Sequence, residues 1–201
     1  MKKQRIAIVW LAAFILWTVL VRFIDVQPIG PEGSMVGFAT INAAFHELTG
    51  VHLSLYTVTD WLSVIPLGIA AGYGVVGLIQ WIRRRSIRKV DRTLLILGCF
   101  YGAVMAAFAL FEVLVINYRP ILIEGVLEPS YPSSTTLLVM CMIPTAVMQC
   151  KRKWLSTLLT FFAIFMVTAR LLSGVHWITD IIGGALLSAG LVTLYDSVTK
   201  T

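Results

Sequence analysis

Three residues able to do chemistry stand close together near the C-terminal end of the sequence: Arg170, His176 and Asp180, set between two long apolar runs. His176 and Asp180 are four positions apart, one helical turn, so they face each other if a helix begins near Val175. An aspartate that accepts one imidazole N–H fixes the tautomer and leaves the other ring nitrogen free to attack. Gly174 breaks the path between Arg170 and His176, so a loop can bring the guanidinium back over the same site. The chemistry this predicts is a histidine nucleophile, His176, oriented by Asp180, with Arg170 holding a phosphate. The plainer alternative is a structural pair that caps a helix.

Two other segments carry polar groups of the same kind. One runs from Glu112 through Asn117 to Arg119-Pro120, and the other is Ser130-Tyr131-Pro132-Ser133-Ser134-Thr135-Thr136. Guanidinium forks match phosphate oxygens. A helix opened by Pro-Ser-Ser offers unpaired N–H groups, a positive dipole end and hydroxyl donors to an anion.

The elements that must position these groups are membrane helices. Of the 201 residues 58% are hydrophobic and 13% charged, against about 25% charged in a soluble domain. Six apolar runs are long enough to span: about 6–23, 58–82, 94–117, 134–149, 155–172 and 177–195, the fourth being marginal. Backbone groups in lipid must bond internally, so the runs are predicted to be helices. Thr57, Thr59 or Asp60 is predicted to cap the second run, and Trp61 and Trp177 fit interface belts. The link 24–57 is the one long connection. Its second half, Met35 to Leu48, reads as an amphipathic helix on the membrane surface or over the bundle. His46 and His52 in this link are read as surface residues, within reach of the site only if that helix folds over it.

With the N-terminus taken as cytoplasmic, Lys2, Lys3, Arg5, the basic run 83–92, Lys151, Arg152, Lys153 and Lys200 all fall on one side. They make up 13 of the 16 Lys and Arg. This positive-inside bias puts both termini in the cytoplasm, and the basic run reads as a topology anchor. Arg119, Arg170, His176 and the serines at the start of the fourth span fall on the opposite side, where helix ends can enclose a pocket. The net charge of +6 reports topology and implies no nucleic acid partner. Cys99, Cys141 and Cys150 have neither metal-ligand nor disulfide spacing and receive no role. No internal repeat or second domain is visible, so residues 1–201 read as a single membrane-embedded domain.

The order and spacing of the three segments resemble the type 2 phosphatidic acid phosphatase superfamily, which includes membrane lipid phosphatases and vanadium haloperoxidases. Its motifs are Lys, six residues, Arg-Pro; Pro-Ser-Gly-His; and Ser-Arg, five residues, His, three residues, Asp. Arg119-Pro120 matches the end of the first and Pro132-Ser133 the start of the second. Arg170, His176 and Asp180 match the third, with Ala169 where Ser is usual. The motif region covers residues 112–180. The resemblance implies that His176 attacks phosphorus and forms a phosphohistidine, with Asp180 orienting it. It also implies that Arg119, Arg170, Ser133 and the backbone around Ser134 hold the phosphoryl oxygens, with Thr135 beside them.

Two positions depart from the pattern. Glu112 stands where the family has Lys, and Thr135 where it has the second His, the proton donor to the leaving group. Losing that acid costs about 10²–10⁴ in rate when the leaving group needs a proton. A lipid alkoxide needs one, and a phosphate leaving from a diphosphate needs far less help. The departure tilts the expected substrate toward a polyprenyl diphosphate such as undecaprenyl diphosphate, or the reaction toward phosphoryl transfer. Glu112, as a neutral carboxylic acid in a low-dielectric site, is a possible replacement donor, and an ion pair with Arg119 or Arg170 is its alternative role.

The expectation is thus an all-α, multi-pass protein of the cytoplasmic membrane, with six spanning helices and a surface helix after the first. Its site faces the extracytoplasmic side and acts on a lipid phosphate or diphosphate, without metal or cofactor. A catalytically impaired member that binds a lipid phosphate or a partner protein is the competing reading. A transporter lacks the matching pair of broken helices it would need.

Overall fold

The structure is a computed structural model that describes residues 2–199; Lys200, assigned above to the basic side, and both terminal residues lie outside them. Among the described residues the regular structure is helical: α1 (Lys2–Phe23), α2 (Ala39–Thr49), α3 (Leu53–Leu62), α4 (Val64–Arg84), α5 (Arg92–Leu114), α6 (Ser134–Gln149), α7 (Lys153–Leu172) and α8 (Ile178–Thr199). Extended pairing is confined to isolated bridges in the connections, such as Gln27 with Val36 and Tyr118 with Pro129. Five helical stretches are long and apolar enough to cross a membrane, with α3 and α4 counted as one, and α6 is a shorter sixth. The chain is therefore an all-α multi-pass membrane protein.

Helix α6 lies at the centre. Leu137, Val139, Cys141, Met142, Ile143 and Ala146 are all buried, which takes in every side of the helix. A helix surrounded by other helices needs neither full span length nor a polar face. Helix α1 lies antiparallel along α8: Lys3 pairs with Asp196 at 2.5 Å near one end, and Trp17 Nε1 donates to the Thr179 carbonyl at 3.1 Å near the other. Two glycines allow α8 to come close to the neighbouring chain. A Cβ at Gly183 would collide with the Tyr131 ring, and Gly184 lies against Thr136.

The second span departs from expectation. Its helix begins at Leu53 and is interrupted at Ser63, between α3 and α4. Pro66 explains the interruption, because it has no N–H and its ring clashes with the carbonyl four residues back. Ser63 Oγ donates to the Asp60 carbonyl at 2.5 Å across the break. Thr57, Thr59 and Asp60 are consequently inside a helix and cap nothing. Trp177 also departs from the belt reading: it is buried, and its Nε1 donates to the Tyr118 carbonyl at 2.8 Å. Trp61 is exposed, as a belt residue would be.

Helix α2 turns Ala39 and Asn42 to the protein. Asn42 is buried and bonds Gly37 O at 2.7 Å and Thr179 Oγ1 at 3.0 Å, while Ile41 and Leu48 point outward. Gly37 is required here, since a Cβ would run into the backbone of Val21. The connections 24–52, 115–133 and 173–177 meet at one end of the bundle. Gly37 N–H donates to Asn117 Oδ1, Ser130 N–H to Asn117 O, and His52 N–H to Ser173 O. The basic connections lie at the other end, where Arg84 pairs with Asp91 at 3.0 Å.

Candidate active site

The segment joining α7 to α8 turns at Gly174, whose φ of +69° favours glycine, and a Cβ there would strike the Gly50 carbonyl. His46 Nε2 lies 3.1 Å from Gly174 O, and its ring packs on Trp177. Helix α2 thus clamps the segment from outside. His52 is exposed, bonding Thr49 O through its side chain.

His176 is 3% exposed. Its Nδ1 lies 3.1 Å from the Ser130 carbonyl. A carbonyl only accepts, so Nδ1 carries the hydrogen and Nε2 carries the lone pair. Nε2 is buried with no hydrogen-bond partner. Burial, and then the nearby guanidiniums of Arg119 and Arg170, hold the imidazole pKa well below its usual value. At neutral pH the ring is a neutral base with its nucleophilic nitrogen free.

Asp180 does not accept the imidazole N–H as expected. Its Oδ2 is 3.7 Å from His176 Nδ1, an ion-pair distance and too long for a hydrogen bond. Asp180 sits in the first turn of α8, where an unpaired backbone N–H competes for it. Oδ2 accepts from Trp177 N–H at 3.0 Å, and Oδ1 faces Asn117 Nδ2 at 3.4 Å. The orienting acceptor of His176 is therefore the Ser130 carbonyl, with Asp180 fixing the helix start beside it.

The two arginines approach from different elements. Arg119 follows α5, and its N–H donates to Glu128 O at 3.0 Å across a short ladder. Its Nε lies 3.0 Å from Glu128 Oε2 without hydrogen-bond alignment, and Nη1 is buried and unpartnered. Arg170, 2% exposed, donates from Nη1 to Thr59 Oγ1 at 3.2 Å and from Nη2 to Thr135 Oγ1 at 2.5 Å. Asp60 Oδ1 lies 3.7 Å from Nη2, and Arg170 Nε has no partner. Both guanidiniums pack on Tyr56, at 4.9 Å for Arg170 and 5.9 Å for Arg119.

The remaining expected residues fall into place around them. Ser133 is the N-cap of α6: its Oγ accepts from Thr136 N–H at 3.4 Å and Thr136 Oγ1 at 3.1 Å. The next N–H groups, of Ser134 and Thr135, begin the helix without intrahelical partners. Thr135 Oγ1 is engaged as an acceptor by Arg170 and so positions that side chain, while its own O–H remains a donor. Glu112 pairs with neither arginine, whose carboxylate partners are Glu128 and Asp60. It lies in the last turn of α5, exposed on one side, and lines a small cavity with Ser130, Ser134 and His176. That cavity measures about 10 Å³, about the room for one water.

Tyr56, Thr59, Asp60, Asn117, Glu128 and the Ser130 carbonyl were not foreseen as site groups. Tyr56, Thr59 and Asp60 recur at helical spacing in an apolar run, which was a signal available in the sequence. The Ser130 carbonyl had none. Together the site offers a neutral nitrogen nucleophile, a helix N-terminus and a carboxyl group on one small cavity, with two cations bearing unfilled donors near the nucleophile. This is equipment for attack on a phosphorus bearing anionic oxygens.

Comparison with known proteins finds one family and one fold. The family described as the PAP2 superfamily matches residues 111–200. A solved structure, titled "Crystal structure of the first transmembrane PAP2 type phosphatidylglycerolphosphate phosphatase from Bacillus subtilis", shares the fold with a TM-score of 0.58 at 17% identity, over 96% of each chain. No curated protein matches the chain by sequence.

Proposed function

We propose, from the premise that this chain resembles the PAP2 superfamily in both its C-terminal motifs and its fold, that it is a lipid phosphate or diphosphate phosphatase working through His176. The observation that carries this reading is the buried, unpartnered Nε2 of a neutral His176 beside unpartnered donors of Arg119 and Arg170.

In the first step the Nε2 lone pair forms an N–P bond as the bond from phosphorus to the leaving oxygen breaks. Arg119, Arg170 and the first N–H groups of α6 take the charge of the phosphoryl oxygens. The Ser130 carbonyl keeps the ring in the attacking tautomer, and the Asp180 carboxylate nearby favours the positive imidazole of the phosphohistidine. A leaving alkoxide takes its proton from Glu112 in the carboxylic acid form, whereas a leaving phosphate departs with little help. Water then attacks phosphorus and the N–P bond breaks; the water proton passes to the Glu112 carboxylate when an alkoxide has left, and to an oxygen of the phosphate product when a phosphate has left. The positive-inside bias puts this site on the extracytoplasmic face of the cell membrane, and Thr135 in the acid position favours a polyprenyl diphosphate as substrate.

One observation favours a second reading, a phosphate-binding member that does not turn over. Thr135 ties up Arg170, while Glu128 and Asp60 already offer both arginines a counter-charge. The two readings separate on purified protein given a polyprenyl diphosphate or phosphatidic acid. The enzyme reading expects phosphate release that His176→Ala abolishes. Release no greater than that of the variant, on both lipids, would leave the binding reading in its place.

A further inference from the structure

A large groove lies far from the candidate site. It is a groove of about 660 Å³ between α4 and α5, in the half of the bundle that ends in the basic connection. Glycines make it. Gly74 and Gly77 on α4 and Gly98 and Gly102 on α5 all line it, and a Cβ added at any of them would meet nothing within 4 Å. The remaining lining is almost wholly apolar, from Leu67 to Trp81 on α4 and from Leu94 to Met105 on α5. At 1.5 Å per residue those stretches extend roughly 21 and 16 Å. This matches one leaflet, half of a hydrocarbon core about 30 Å thick.

The connection that closes one end of the groove is strongly basic. Ile87 and Val90 of the connection between the two helices line the groove at that end. Around them stand Arg83, Arg85, Arg88, Lys89 and Arg92, all exposed. Among the described residues none of these five makes an ion pair. The one carboxylate there, Asp91, is already held by Arg84 at 3.0 Å and by Gln80 Nε2 at 2.6 Å. The connection is thereby fixed in shape with its positive charge unanswered. A topology anchor requires the charge but not the groove beneath it.

We propose that this groove is a binding site for an anionic phospholipid of the basic-side leaflet. One acyl chain lies between α4 and α5 against the four glycines, and the headgroup phosphate rests on the cations of residues 83–92. Basic pockets between membrane helices hold anionic headgroups by this combination of charge and apolar depth. The site is separate from the His176 centre and does not depend on the activity proposed there.

The test uses the full-length protein in nanodiscs of phosphatidylserine and phosphatidylcholine in equal amounts with matched acyl chains. Phosphatidylserine is a phosphodiester and survives a monoester or diphosphate phosphatase. Lipid retained on gentle release is counted by native mass spectrometry. The wild type is expected to keep phosphatidylserine over phosphatidylcholine by at least about tenfold. Two variants are expected to lose that preference: R85Q/R88Q/K89Q, which removes charge and keeps the groove, and Gly98→Leu, which fills the groove and keeps the charge. His176→Ala is expected to retain it, which separates this site from the candidate active site. Equal retention of the two lipids by the wild type overturns the proposal, and that comparison needs no variant to fold. A preference lost in the charge variant but intact in Gly98→Leu overturns it as well, leaving only diffuse surface attraction. A lipid-free wild-type dimer that Gly98→Leu converts to monomer assigns the groove to a second copy of the chain and also overturns it.

Discussion

His176 hands its one ring hydrogen to a backbone carbonyl, and its protonation behaviour follows from that and from its burial. The folded protein protonates the ring only well below 6.5, the value for a free histidine. Below about 6.5 the unfolded chain therefore binds the extra proton and the folded chain does not, so stability rises with pH in that range. The contribution is fully present above 6.5 and is lost as pH falls, by at most about 1.4 kcal/mol per unit. Denaturation of the wild type and of His176→Gln between pH 5 and 8 should show this slope in the wild type alone. The same shift places the acid limb of any phosphatase activity well below pH 6.5. Glu112 is the other residue whose charge matters, since it faces the His176 cavity and pairs with no arginine. Glu112→Gln is expected to slow first-turnover release of an alkoxide leaving group by about 10²–10⁴ and to leave first-turnover release from a diphosphate nearly unaffected. Equal rates on both substrates would remove Glu112 as donor. Arg170, His176 and Asp180 were legible because their spacing is local to one turn and one loop. The Ser130 carbonyl was not, because every residue carries the same group and only the fold selects one.

At the scale of elements the site depends on a junction of α3, α6 and α7. Thr59, Thr135 and Arg170 come from these three helices and meet in two hydrogen bonds, with Tyr56 under the guanidinium. Hydrogen bonds to a charged group contribute about 1.5–3 kcal/mol. Thr135→Val is expected to lower stability by that order and to weaken substrate binding, read as a higher KM. Thr135→Ser should restore both, because it keeps the acceptor. A normal KM in the valine variant would mean that Arg170 is held without Thr135. The start of α6 was legible from Pro132, Ser133 and Ser134, which are N-terminal signals. Its central position was not, because apolar side chains look alike whether they face lipid or protein. The cap reading of Thr59 and Asp60 failed because Leu53–Tyr56 already continue the helix and Pro66 sets the break further on.

Over the whole molecule, charge and chemistry separate to opposite ends of the bundle. The connections bearing Arg119, Ser130 and His176 share one end, and the basic connections lie at the other. The six apolar runs made this division readable, since each crossing reverses the chain. The contact of the 24–52 link with Asn117, Ser173 and Gly174 was not readable, because it rests on backbone groups far apart in sequence. A single cysteine placed at Glu124 in a background lacking the three native cysteines should react with an impermeant thiol reagent added outside intact cells. Labelling only after permeabilisation would invert the orientation. The central claim is that His176 takes the phosphoryl group, and the most direct test is to trap it. Wild-type protein mixed with a polyprenyl diphosphate, quenched under alkaline conditions that preserve phosphohistidine and digested, should yield the His176 peptide phosphorylated on the ring, with nothing in His176→Ala. Phosphate released at an undiminished rate by His176→Ala would contradict the claim.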